Sequence, residues 1–159
     1  MNIGPVNIGN PGSLLLALAL GTALGVGYVW LDQRAPDPLA MADALVEDCE
    51  PTPGPCTAEL AGGRITLGMA TAIRELDSFP LTVELEGFEA VEGVAARFDM
   101  AAMDMGLNRY RLSEAPDGRW QGEAMLPVCT VDRSDWWVTV AVAHAGGTHR
   151  AAFLFHTVD

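Results

Sequence analysis

The chain is predicted to be an all-β domain, an immunoglobulin-like antiparallel sandwich of about seven strands, behind a single N-terminal transmembrane helix. Three observations lead there. Ser13 to Leu31 is an unbroken apolar run whose only ionisable group is the Tyr28 phenol. From Cys56 onward, short β-branched and aromatic runs alternate with Gly, Pro and Asp turns. No stretch of that region has helical periodicity.

The anchor comes first. At 1.5 Å per residue, residues 13–31 span roughly 27 Å, close to the ~30 Å hydrocarbon core of a bilayer. Tyr28 and Trp30 close the run, where amphipathic rings favour the headgroup region. A cleaved signal peptide is the rival, but residues 1–12 hold no Lys or Arg and YVWLDQR is a poor cleavage site. Residues 1–12 are read as a cytoplasmic stub and 13–31 as an uncleaved anchor. Residues 32–55 then form a Pro-rich tether with a possible helical turn over Leu39–Leu45, and residues 56–159 form the domain. Flanking basic residues do not set the direction of the helix. The cysteines favour a domain on the periplasmic side of a bacterial inner membrane.

The seven strands expected are Arg64–Met69, Leu81–Glu86, Val94–Met100, Asn108–Leu112, Trp120–Leu126, Trp136–His144 and His149–Thr157. An up-and-down barrel is the alternative packing. Leu81, Val83 and Leu85 alternate with Thr82, Glu84 and Glu86, a half-buried pattern. The last two strands form a hairpin around Gly146-Gly147, taken as a two-residue turn with positive φ. That register places Ala145 opposite Thr148, His144 opposite His149 and Val142 opposite Ala151. Trp136, Val138, Val140 and Val142 then face the core with Ala151, Phe153 and Phe155, and Trp137 faces outward.

Composition narrows function. The net charge is −12, with 9 Lys plus Arg against 21 Asp plus Glu. That balance excludes a nucleic-acid partner, since phosphates reward Lys and Arg. No nucleophile elbow, zinc-protease helix, P-loop or dinucleotide glycine motif is present, and Asp99 and Asp104 read as solvated surface, so no enzyme is expected.

Three constellations could carry chemistry. Met100, Met103 and Met105 fall within six residues, and thioethers are soft donors suited to Cu(I); the bland reading is that methionine fills core gaps. His144 and His149, as cross-strand neighbours, could hold one ion together, or simply flank a glycine turn. The third group is Cys49, Cys56 and Cys129, of which one disulfide leaves one thiol over. Either Cys49 pairs with Cys56, or one of them pairs with Cys129. In the anchor, Gly21 and Gly25 make a small-residue face on which a partner helix could pack, and Trp137 is a candidate contact on the domain.

The order of Cys49, Gly54-Pro55-Cys56, the segment MDMGLNRYRL (103–112) and DGRWQGEAMLPVC (117–129) resembles small membrane-anchored proteobacterial proteins without a settled function. More distantly it is similar to FixH/YtkA-like domains, which accompany copper handling and cytochrome oxidase assembly. The resemblance implies roles for Met103, Met105, Gly106, Asn108 and Cys129. The expectation is a membrane-tethered factor that binds Cu(I) through Met and His and serves a membrane partner such as a respiratory oxidase. The alternative is a non-metal accessory subunit of a larger membrane complex.

Overall fold

The computed structural model describes residues 21–22, 39–100, 108–128 and 134–158. The chain divides into two compact units, Met1–Pro36 and Asp37–Asp159. Of the first, Gly21 and Thr22 are described, as helix; the rest of the expected span 13–31 lies outside the described residues. No described helix is long and apolar enough to cross a membrane.

The second unit is all-β. Its strands are β1 (Ala44–Val46), β2 (Cys56–Leu60), β3 (Gly63–Met69), β4 (Ser78–Glu86), β5 (Val91–Asp99), β6 (Arg109–Glu114), β7 (Trp120–Met125), β8 (Asp135–His144) and β9 (Gly147–His156). They form one sheet in the order β1-β9-β8-β5-β6-β7-β4-β3-β2. Two meanders, β2-β3-β4 and β5-β6-β7, join edge to edge through β4 and β7, and the β8-β9 hairpin attaches to β5. β6 is the corner: Arg109–Leu112 pair with β5, while Ser113 and Glu114 pair with β7. The two ends of the order, β1 and β2, come back together, so the sheet is nearly closed.

This corrects the expected architecture in three respects. The sheet is mixed and nearly closed rather than a clear immunoglobulin-like sandwich, because β1 runs parallel to β9 and β6 serves both halves. There are nine strands among the described residues; β3 to β9 match the seven expected, while β1 and β2 were not anticipated. Finally, the stretch Leu39–Leu45 is not a helical turn throughout. Leu39–Met41 is one 3-10 turn, and Ala44–Val46 is extended and hydrogen-bonded to β9. Three residues of the Pro-rich segment, Ala44–Val46, are thus built into the sheet.

Alternation sets the core. Ile65, Leu67, Leu81, Val83, Phe98, Trp136, Val138, Val140, Phe153 and Phe155 are sealed from solvent. Phe98 holds the centre, meeting Phe79 edge-on at 5.7 Å, Tyr110 at 5.9 Å and Phe155 at 6.0 Å. These T-shaped contacts put ring edges on ring faces, the arrangement aromatic quadrupoles favour.

Candidate functional site

The direction of β5 decides which candidate groups can meet. Val91 pairs with His144 and Asp99 pairs with Trp137, so β5 runs the length of β8. At ~3.3 Å per residue that is about 26 Å. The histidine hairpin lies at one end, and Met100, which follows Asp99, lies at the other. Two donors to one copper ion must sit within a few ångströms of each other, so Met100 and the histidines cannot share an ion. Met100 is only 3 % exposed and belongs to the core cluster, a packing role. Met103, Met105 and Gly106 lie outside the described residues, in the connection between buried Met100 and buried Asn108.

The histidines do come together, by a different register from the one expected. Val142 pairs with His149 and His144 with Gly147, leaving Ala145 and Gly146 at the turn. Positive φ falls on Gly147 alone, at 129°, which is why the loop shifts back by one residue. The shift changes the sum of paired positions by two, so both side chains stay on the inner face, now on a diagonal. Their rings stack at 5.2 Å between centroids, 9° from parallel. Phe88 packs against both, at 5.6 Å from His144 and 5.7 Å from His149.

This geometry makes a packed aromatic cluster, not a chelate. Imidazole lone pairs lie in the ring plane, so parallel stacked rings direct them side by side and not towards a common point. The His144 Nδ1 lone pair already accepts the Gly146 N–H at 3.2 Å, which places the ring proton of neutral His144 on Nε2. That Nε2 is buried without a partner. His149 Nδ1 lies 3.5 Å from Asp43 Oδ2, which itself accepts the Arg150 N–H at 2.8 Å. Among the described residues, no group of three or more His, Cys, Asp or Glu side chains is placed to hold a metal ion.

Cys49 and Cys56 form a disulfide with Cα atoms 5.8 Å apart. Of the two pairings left open by the spacing, the local one is realised; Cys129 lies outside the described residues. Cys56 opens β2 and is buried, whereas Cys49 follows β1, so the bond ties together the two ends of the sheet. Trp137 faces outward as expected, but it is only 8 % exposed and does not protrude. Gly21 is exposed, and a Cβ there would meet nothing within 4 Å; Gly25 lies outside the described residues.

The electrostatic perturbations lie elsewhere. Hydrogen bonding to Arg119 holds the Asp117 carboxyl below its usual range, and the same contact raises Arg119. Arg64 is raised chiefly by its hydrogen bond to Glu59. All three are surface groups. Sequence reasoning missed Phe88 and Asp43 at the histidine cluster. Phe88 sits in a turn without periodic pattern, and Asp43 reaches His149 only because β1 pairs with a strand 107 residues away in sequence.

No protein-family model matches the chain, and no curated protein matches it. Among solved structures, the chain is similar to a crystal structure of an engineered protein, with 15% sequence identity and a TM-score of 0.44. That likeness covers 63% of this chain and about a fifth (21%) of the other. A likeness so weak carries no argument.

Proposed function

We propose that this chain is a non-catalytic, membrane-tethered periplasmic factor that handles Cu(I) through Met103 and Met105. The observation that carries the reading is the mounting of the methionine segment. It connects β5 to β6, and both its flanks are buried, Met100 in the core and Asn108 just before β6. The described residues on either side of the segment are thus held in place by packing. Thioether donors select Cu(I) over harder ions. The Cys49–Cys56 disulfide suits an oxidising compartment. His144 and His149 are not part of this ligand set, because they stack at the far end of β5.

The test is anaerobic Cu(I) competition against a colorimetric chelator, using the full chain in detergent. Met103→Leu with Met105→Leu is expected to weaken binding at least about tenfold, or ~1.4 kcal/mol. Unchanged competition would sink the proposal.

A second reading is an accessory subunit without metal. The exposed Gly21, with open space where a Cβ would stand, favours it, since such a position lets a neighbouring helix approach closely. Gly21→Leu would then abolish recovery of a crosslinked membrane partner such as a respiratory oxidase.

A further inference from the structure

A single nearly closed sheet packs its inner face as a core and turns its outer face to water. The half made of β2, β4 and β7 behaves so: outward Thr57, Glu59, Pro80, Glu84, Gln121 and Glu123 are all exposed. The other half does not. On β5, β8 and β9, Val94, Phe98, Trp136, Val138 and Phe153 point inward, so alternation turns Ala95, Asp99, Trp137, Thr139 and Ala152 outward. Those five are nevertheless only 7, 4, 8, 6 and 0 % exposed. None of them belongs to the core cluster.

Register gathers them into one patch. Trp137 lies between Asp99 and Leu154, and Thr139 lies between Arg97 and Ala152. The Arg97 guanidinium is turned to Asp99 at 2.9 Å. An outward indole stands taller than the aspartate, leucine and threonine around it, so those neighbours cannot hide it. All nine described strands lie in the one sheet, and none is layered over this patch. The cover is therefore a part of the chain outside the described strands.

Residues 101–107, which are outside the described residues, have the spare length. β5 and β6 are antiparallel neighbours: Arg97 pairs with Arg109, and the Phe98 N–H donates to the Asn108 carbonyl at 3.0 Å. Two residues suffice to join such strands, and here seven separate Met100 from Asn108. About three residues out and three back reach ~10 Å sideways, the distance from β5 across β8 to β9 at ~4.8 Å per strand. Residues 129–133 lack that slack, because β7 and β8 are three places apart in the sheet and most of the length is taken by the crossing.

The chemistry agrees with the length. Ala101, Ala102, Met103, Met105 and Leu107 are apolar, and Asp104 is the one charge. Thioethers pack favourably on aromatic rings. The Thr139 hydroxyl oxygen is buried without a hydrogen-bond partner, as an apolar cover leaves it. We propose that residues 101–107 dock on the outward face of β5, β8 and β9, with Met103 and Met105 against the Trp137 indole. The docking needs no metal, so it stands apart from the copper reading and is tested without copper.

The test is thiol labelling by N-ethylmaleimide, on the full chain in neutral detergent with EDTA and Cys129→Ser as background. Thr139→Cys should label far more slowly than Gln121→Cys, which lies on the exposed half. Met103→Ser with Met105→Ser removes two buried apolar side chains and should speed Thr139→Cys labelling at least about tenfold, with the far-UV spectrum and cooperative melt retained. A second pair decides even if the serine variant fails to fold: Met105→Cys with Thr139→Cys should form an intramolecular disulfide on mild diamide oxidation. Four results overturn the proposal. They are equal labelling of Thr139→Cys and Gln121→Cys, a Thr139→Cys rate indifferent to the folded serine variant, a rate that rises on dilution and so marks a second copy as the cover, and no intramolecular disulfide.

Discussion

Cys49 and Cys56 are bonded across the seam where the two ends of a nine-stranded sheet meet. Cys49 trails β1, which lies along β9, and Cys56 begins β2 at the other end of the strand order. The bond therefore does more than close a short proline-rich loop. It restrains the otherwise open edges of β1 and β2, the place where an unpaired strand invites association.

Replacing both cysteines by Ala should lower unfolding free energy by about 2–3 kcal/mol, the loop-closure value for a separation of seven residues. Guanidinium denaturation of parent and variant, with and without reductant, measures it. Reductant should bring the parent down to the variant and leave the variant unchanged.

Gly147 and Gly146 make opposite demands. A Cβ at Gly147 would meet nothing within 4 Å, yet its φ of 129° is nearly closed to L side chains. Gly147→Ala should therefore cost about 1–3 kcal/mol through the backbone alone. Gly146→Ala meets His144 Cε1 at 2.8 Å, and its cost should disappear when His144 is also replaced by Ala. Urea midpoints of the three variants separate backbone strain from steric contact.

Gly62 supports the histidine stack. A Cβ there would lie 2.9 Å from His149 Nε2 and 3.4 Å from Phe88 Cε1. Gly62→Ala should destabilise by about 1–2 kcal/mol, because a packed ring must shift. In a double-mutant cycle with His149→Ala, most of that loss should vanish. Additive losses would show that the ring is not what the methyl group meets. Cu(I) affinity should be the same in His144→Ala and His149→Ala as in the parent.

Asp117 provides a pH signature. Its folded pKa is lowered, first by the side-chain hydrogen bond to Arg119 and then by the Arg119 backbone N–H, which it accepts at 3.1 Å. A depressed carboxyl contributes stability that is present above its unfolded pKa and lost as pH falls through the folded one. The Tm difference between the parent and Asp117→Asn should accordingly be present at about pH 5 and shrink towards about pH 2. The group is solvent-exposed, so the difference should also shrink with added salt.

Much of the fold was legible because alternation is a local property. Leu81, Val83 and Leu85 against Thr82, Glu84 and Glu86 mark a strand whatever its neighbours are; alternation marks β8 and β9 in the same way, and turn residues bound the other strands. β1 and β2 escaped the same reading. Three residues among prolines have no measurable period, and Ala44–Val46 is a strand only because Ala151–Phe153 offers it a ladder. The hairpin register has a related ambiguity: two adjacent glycines both permit positive φ, and in the structure Gly147 takes it.

By itself, the sequence determined the all-β class, the inward faces of β4, β8 and β9, and the shared face of His144 and His149. These follow from side-chain geometry along one strand. Only the tertiary structure decided that Met100 and the histidine pair lie at opposite ends of β5, and that Cys49 pairs with Cys56. Each of those depends on which strands pair and in what register. Residues such as Val91 with His144, and Ala44 with Ala151, set that pairing from distant parts of the chain, and no local pattern encodes it.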